Sequence, residues 1–176
     1  METPVLILPG IGNSGTHHWQ TLWEQIYPHC QRVIQRDWDR PRCEDWVSVL
    51  DAAVTTCHSP PVLVAHSLAC LLVAHWASRF AKPIKGALLV AVPDPDSPNF
   101  PTEARGFSPL PLLPFAFSSI VVGSADDPFS SLSHAKLCAV AWRSEFVEIN
   151  RAGHINADSG LGDWKDGHAL LQKLMA

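Results

Sequence analysis

Short runs of consecutive apolar residues alternate along this chain with longer stretches whose apolar residues recur at helical spacing. A strand inside a parallel sheet is covered on both faces, so it reads as an unbroken apolar run. Parallel neighbours also need a crossover between them, usually a helix. Val5–Leu8 is such a run, and it stops at Pro9-Gly10, a turn pair. Thr16 is placed to cap a helix carrying Trp19, Leu22, Trp23 and Ile26, and residues 31–36 read as a second strand. Trp46, Val49, Leu50, Ala53, Val54 and Cys57 follow the i, i+3, i+4, i+7 pattern. Glu44 and Asp45 fall in the first turn of that helix, where its dipole favours negative charge. A strand over 62–65, an apolar helix from 68 to about 80 and a strand over 87–92 come next. Later come a strand over 120–122, a helix carrying Leu132, Ala135, Ala139 and Trp142, and a strand over 146–149. A last helix carries Trp164, His168, Leu171 and Met175. Six strands and about six helices predict an α/β fold: one domain over 1–176, a doubly wound, mostly parallel six-stranded sheet with helices on both faces.

The pattern breaks between 93 and 114, where seven of the chain's fifteen prolines fall and neither periodicity survives. An irregular segment of that length within a compact domain is often functional.

Composition narrows the partners. The net charge of −4 comes with no cluster of Lys or Arg, so a nucleic-acid or anionic-membrane surface is not expected. The apolar runs fall well short of the roughly 20 residues that a membrane span requires. The N-terminal stretch lacks a basic region and a cleavage site, so no signal peptide is expected. Five cysteines, widely spaced and without C-x-x-C, read as buried free thiols of a reducing compartment and not as a disulfide frame or zinc site. A cytoplasmic protein with no metal and no cofactor is therefore expected.

The strongest local signal is Val62-Leu63-Val64-Ala65-His66-Ser67-Leu68-Ala69-Cys70. A buried strand runs directly into a helix, with a serine at the junction and small residues two positions to either side. Such a turn lifts the hydroxyl above the sheet and frees the next backbone N–H as an oxyanion donor. Bulky groups at −2 and +2 would collide where strand and helix nearly touch; Ala65 and Ala69 stand where G-x-S-x-G has glycine. The plainer alternative is that Ser67 only caps the following helix.

Joint placement favours the chemical reading. In a nucleophile-elbow fold the order is Ser, then Asp or Glu, then His, each on a loop at the carboxyl edge of the sheet. Gly123-Ser124-Ala125-Asp126-Asp127-Pro128-Phe129 follows one strand, and Asn150-Arg151-Ala152-Gly153-His154 follows the next. Ser67 is then the nucleophile, His154 its base and Asp126 the orienting carboxylate. The G-x-x-D spacing places Asp126 at the first loop turn, and Asp127 beside it is the alternative. The N–H groups of Ile11 and Leu68 are the expected oxyanion donors, while His66 and His75 read as structural. Trp19, Phe129, Phe107 and Leu112 are expected to wall the acyl pocket, the last two supplied by the proline-rich segment.

A competing fingerprint is Gly10-Ile11-Gly12-Asn13-Ser14-Gly15, a G-x-G-x-x-G between strand and helix, with Asp37 as a ribose-binding acid. Pro9 interrupts the strand just before it, and an NAD-binding reading leaves Ser67, Asp126 and His154 at three other strand ends unexplained. No Lys follows Gly15-Thr16, so it is not a phosphate-binding P-loop.

Leu8-Pro9-Gly10, Asn13-Ser14-Gly15 with His18-Trp19, Asp37-Trp38, the Ala65-His66-Ser67 elbow, Asp126-Asp127-Pro128-Phe129 and Ala152-Gly153-His154-Ile155-Asn156 together resemble the small serine hydrolases of the RBBP9/YdeN family, within the α/β-hydrolase superfamily. The likeness runs over nearly the whole chain. It implies a hydrolase core without a large cap domain, and a triad at Ser67, Asp126 and His154. The L-x-C-x-E motif tied to retinoblastoma binding in the vertebrate member is not matched: Leu68-Ala69-Cys70-Leu71-Leu72 has leucine in place of glutamate. The expected activity is hydrolysis of a small ester, or an amide, through an acyl-enzyme; the alternative is an idle relative that binds a ligand or partner in the same cleft.

Overall fold

The structure, a computed structural model, describes residues 2–176. Its strands are β1 (Val5–Leu8), β2 (Cys30–Arg32), β3 (Val62–His66), β4 (Gly86–Val90), β5 (Ser118–Ser124) and β6 (Glu145–Ile149). All pair in parallel, in the order β2-β1-β3-β4-β5-β6. The helices are α1 (Trp19–Ile26), α2 (Cys43–Thr56), α3 (Leu68–Ala77), α4 (Leu132–Trp142) and α5 (Lys165–Met175). The expected α/β architecture is thus present, with five α-helices and a single 3₁₀ turn at Ala157–Ser159 among the described residues.

The side-chain period of two in a strand divides the core into two layers. Leu6, Leu8, Leu63, Ala65, Ala87, Leu89 and Val121 face α2, α3 and α4. Val5, Ile7, Val62, Val64, Leu88, Val90, Ile120 and Val122 face α1 and α5 on the other side. Nine of the ten residues of α3 are buried, which is why its sequence is apolar on every side and carries no amphipathic signal.

Several boundaries differ from the sequence reading, three of them for a clear local reason. His18, not Thr16, caps α1: its ring accepts the Gln20 N–H. The second strand ends at Arg32, because it lies at the sheet edge and pairs with β1 over three residues only. Trp164 stands before α5 with φ of +39°, and its indole lies so close over Gly167 that a Cβ there would meet the ring at 2.2 Å.

The order of strands places the site. From β1 the chain moves outward to β2 and then returns across β1 to β3, so the direction of winding reverses between β1 and β3. Crossovers on either side of such a point leave by opposite faces, and the carboxyl ends of the two strands open a crevice. The glycine-rich turn follows β1 and Ser67 follows β3, so both lie at its mouth.

Leu63, the second residue of β3 and without exposed surface, measures how far the crevice depends on the core beneath it. Leu63→Ala should lower unfolding free energy by about 2–5 kcal/mol, checked by urea unfolding.

Candidate active site

At Ser67 the backbone takes φ of +55° and ψ of −125°, a conformation that side-chain-bearing residues rarely adopt. Strand pairing on one side and helix packing on the other hold it there: the Ser67 N–H donates to the Val90 carbonyl at 2.9 Å, and its carbonyl accepts the Cys70 N–H at 2.8 Å. Although Ser67 occupies the N-cap position of α3, its hydroxyl makes no capping bond. The hydroxyl is turned the other way, 2.7 Å from His154 Nε2. Capping therefore does not account for this serine.

Space at the elbow is tight from both directions. Ala65 and Ala69 are fully buried. A Cβ on Gly10 would meet the Ser67 Cβ at 3.0 Å, the His66 carbonyl at 3.1 Å and the Leu68 N at 3.4 Å. The glycine after Pro9 thus lets the end of β1 lie against the elbow, which brings Ile11 and Leu68 to one cavity. Arg32 fixes the turn beyond: its Nη1 donates to Asn13 Oδ1 and to the Ser14 carbonyl, both at 2.9 Å, and it pairs with Glu24. Gln20 plugs the strand ends, donating to the Leu8 and Val64 carbonyls at 3.1 Å and accepting from Ser14 Oγ at 2.7 Å. The fingerprint's Asp37 is occupied in a turn of its own, accepting the Asp39 and Arg40 N–H groups.

The two adjacent aspartates have different work. Asp127 lies 2.9 Å from His154 Nδ1 through both carboxylate oxygens, and its side chain is 2% exposed. It also accepts the Phe129 N–H at 2.9 Å. Asp126, the carboxylate expected beside the imidazole, does not reach it. It points along the outside of the loop and accepts from the Gly153 N–H at 2.8 Å and from Ser124 Oγ at 2.9 Å. Those two hydrogen bonds hold its carboxyl below the usual carboxylate range. The spacing argument failed because the loop turns within one residue, sending neighbouring side chains to opposite sides.

Asp126 belongs instead to a set of contacts that hold the loop carrying His154. Arg151, Gly153 and Ile155 all have positive φ, so this backbone needs restraint. Ser124 Oγ accepts the Ala152 N–H at 2.9 Å, and Ser159 Oγ donates to the Ala152 carbonyl at 2.6 Å. His66 Nε2–H donates to the His154 carbonyl at 2.9 Å, and Trp19 Nε1–H donates to the Ile155 carbonyl at 2.8 Å. His66, expected to be structural, also lies on the wall of the cavity above Ser67, and His75 donates from Nε2 to the Phe107 carbonyl at 3.0 Å.

The cavity above Ser67 has a volume of about 280 Å³. Of the four residues expected to wall it, only Phe129 does so, with its ring 4.7 Å from that of His154. Trp19 lies below the floor, packed edge-on against Trp23 and Trp164 with ring centroids 4.8 and 5.0 Å away. Phe107 is fully buried against Trp46 and His75. Leu112 is 43% exposed and lies on another part of the surface. The proline-rich segment still supplies a wall, through Pro93, Phe100 and Pro101. It is fastened to the Asp127 loop by the Asp94 N–H to the Phe129 carbonyl and by Asn99 Nδ2 to the Pro128 carbonyl. Which aromatic of an aperiodic segment turns inward depends on such fastenings, and no sequence periodicity marks them. His18, also on the wall, was not expected there, although His18-Trp19 is among the segments that carry the family resemblance.

A hydroxyl, an imidazole and a buried carboxylate in series suit acyl transfer. Residues 5–173 match the family profile described as serine hydrolase. The chain belongs to the serine hydrolase family. It is similar to a YdeN-like hydrolase from Pectobacterium atrosepticum, at 30% identity and a TM-score of 0.87 over 99% of this chain and 91% of that one. The ydeN gene product of B. subtilis is 23% identical, with a TM-score of 0.81 over 98% of each chain. An esterase from Thermogutta terrifontis, 16% identical with a TM-score of 0.74 over 100% of this chain and 92% of that one, shares the fold. Among curated proteins none matches. No helix among the described residues is long and apolar enough to cross a membrane, and Cys30, Cys43, Cys57, Cys70 and Cys138 are free.

Two imidazoles beside the site are buried in neutral form. Burial pulls His66 well below the usual range, and burial, Arg32 and His154 pull His18 from 6.5 to about 4. Between those values the unfolded chain binds protons that the folded chain refuses, so stability falls as pH is lowered through that window. Urea midpoints should therefore drop between pH 6.5 and pH 4. His66→Gln, which keeps a donor for the His154 carbonyl, should flatten the slope.

Proposed function

We propose that this serine hydrolase cleaves small carboxylic esters, and amides of the same acyl groups, through an acyl-enzyme on Ser67. The observation that carries this reading is the unbroken series Ser67 Oγ–His154 Nε2, His154 Nδ1–Asp127, at 2.7 and 2.9 Å, opening on the cavity of about 280 Å³.

In the resting site the Ser67 hydroxyl donates to His154 Nε2, and Nδ1–H donates to Asp127. As Ser67 Oγ attacks the carbonyl carbon, its proton passes to Nε2. The imidazolium that forms faces a carboxylate that is almost fully enclosed, where charge attraction is stronger than in water. Asp127 thereby fixes the tautomer and favours the charged ring. The oxyanion is received by the N–H groups of Ile11 and Leu68; Leu68 opens α3, so its amide has no acceptor within that helix. Collapse breaks the bond to the leaving group, which takes the proton from Nε2 and departs as an alcohol or amine. Water then gives a proton to His154, attacks the acyl carbon, and releases the acid while Ser67 recovers its hydrogen.

A fluorophosphonate probe should label the native protein at Ser67 and fail to label Ser67→Ala. Asp127→Asn should lower kcat for p-nitrophenyl esters by about 10³–10⁴-fold, through the wrong imidazole tautomer. Asp126→Asn, which keeps an acceptor for the Gly153 N–H, should stay within about tenfold of native. Equal losses in the two variants would refute the assignment of Asp127, and an unlabelled native protein would overturn the hydrolase reading.

A further inference from the structure

Ile11, which lines the cavity above Ser67, lies in a stretch that no strand or helix holds. The Asn13 N–H donates to the Gly10 carbonyl at 3.2 Å, closing a four-residue turn in which Ile11 is second. Gly12 and Asn13 both have left-handed backbones, with φ of +75° and +65°. That conformation is costly for a residue with a side chain, so Asn13 needs restraint.

The restraint comes from Arg32, the last residue of the edge strand β2. A guanidinium carries five N–H donors in a fixed planar fork, and here each has an acceptor. Nη1 donates to Asn13 Oδ1 and to the Ser14 carbonyl, both at 2.9 Å. Nη2 donates to Thr21 Oγ1 at 2.7 Å and to Glu24, and Nε donates to Glu24 at 2.9 Å. The acceptors are tied to one another as well. Asn13 Oδ1 takes the Ser14 N–H at 2.8 Å, and Thr21 Oγ1 donates to the Ser14 carbonyl at 3.0 Å. The Arg32 side chain is only 13% exposed, so water competes little for its donors.

An Arg–Glu pair at the surface contributes little by itself. Here Glu24 takes only part of the fork, and the remaining donors join the turn to α1 and to the sheet edge. Oxyanion stabilisation needs donors that are fixed before charge develops, and a misplacement of about 1 Å can cost about 10²-fold in rate. Arg32 is not on the cavity wall, so any effect it has on the reaction passes through the turn.

We propose that Arg32 is a positioning residue: by gripping Asn13 and Ser14 it holds the turn over 10–13 so that the Ile11 N–H meets the oxyanion formed at Ser67. This inference rests on the hydrolase reading above.

Arg32→Lys keeps the positive charge but replaces the fork with one ammonium, which cannot reach Asn13, Ser14, Thr21 and Glu24 together. Asn13→Gly cuts a single arm, since glycine suits φ of +65° and Arg32 keeps its other acceptors. Both are assayed with p-nitrophenyl acetate, with kcat expressed per site that the fluorophosphonate labels at completion. Unfolded molecules then drop out of the count, so lost stability alone leaves kcat unchanged. Trifluoroacetone gives the second readout. Ser67 Oγ bonds to its carbonyl carbon, the carbonyl pair becomes the oxyanion, the serine proton passes to His154, and no leaving group departs.

In Arg32→Lys, kcat per labelled site should fall about 10- to 100-fold with KM within about threefold, and the inhibition constant of trifluoroacetone should rise by a similar factor. Asn13→Gly should show the same pattern at about three- to tenfold. The double variant should lose less than the product of the two, because both break one contact. The role of Arg32 is overturned by kcat per labelled site within about twofold of native in both variants, or by a loss carried in KM alone. A fall in kcat without the rise in the inhibition constant, or a double variant that loses the full product, overturns it too. Labelled Ser67 leaves the hydrolase reading intact in each of those cases. If Arg32→Lys yields no labelled protein, Asn13→Gly decides through kcat and the inhibition constant. An unlabelled native protein overturns both readings.

Discussion

The backbone of Ser67 is the constraint on which the rest of this site is built. A residue with φ of +55° between a buried strand and a buried helix is costly, and it persists only because both neighbours over-determine it. The consequence is geometric. The chain reverses so sharply that the hydroxyl makes no capping bond and faces His154 instead, while the next residue, Leu68, lies on the cavity wall. Everything nearby must then be small. Ala65 and Ala69 meet that demand within the elbow, and Gly10 meets it from β1, where even one methyl group would press on Ser67.

His154 poses the opposite problem, since its loop has no strand or helix to define it. Side chains from across the fold do so instead: Ser124 and Asp126 from the end of β5, His66 from the elbow, Trp19 from α1 and Ser159 from the 3₁₀ turn. Each ties a backbone group of residues 152–155, so the imidazole is located by main-chain hydrogen bonding before Asp127 orients its ring. The adjacent aspartates divide these tasks, one holding the loop and the other facing the histidine. The aromatic cluster of Trp19, Trp23 and Trp164 forms the rigid floor under this arrangement.

Much of this was legible in the residues. Buried parallel strands announce themselves as apolar runs, so all six were found. Periodicity found the helices other than α3, which was read from its continuous apolar run, but helix ends were marked poorly, because caps depend on the direction of single side chains. His18 in place of Thr16 is the clearest instance. The elbow was readable because its requirements are local: a strand, a serine, small flanking residues and a helix. His154 was readable from its place on the loop after the last strand. The pocket was not: Phe100 and Pro101 are on its wall, whereas Phe107 and Leu112 of the same segment are buried elsewhere or exposed.

By itself the sequence determined the order of elements, the parallel sheet and the serine at the elbow, because each follows from contacts between residues close along the chain. Tertiary structure alone decided which aspartate meets the imidazole, which aromatics line the cavity and which groups the Arg32 guanidinium holds. Those outcomes depend on contacts between segments far apart in sequence. Asp127 and His154 are neighbours because β5 and β6 pair in register and end their strands together, and the rotation of one loop residue sends Asp126 outward. No spacing rule within Gly123-Ser124-Ala125-Asp126-Asp127 carries that rotation, since it is set by the hydrogen bonds of the loop across from it.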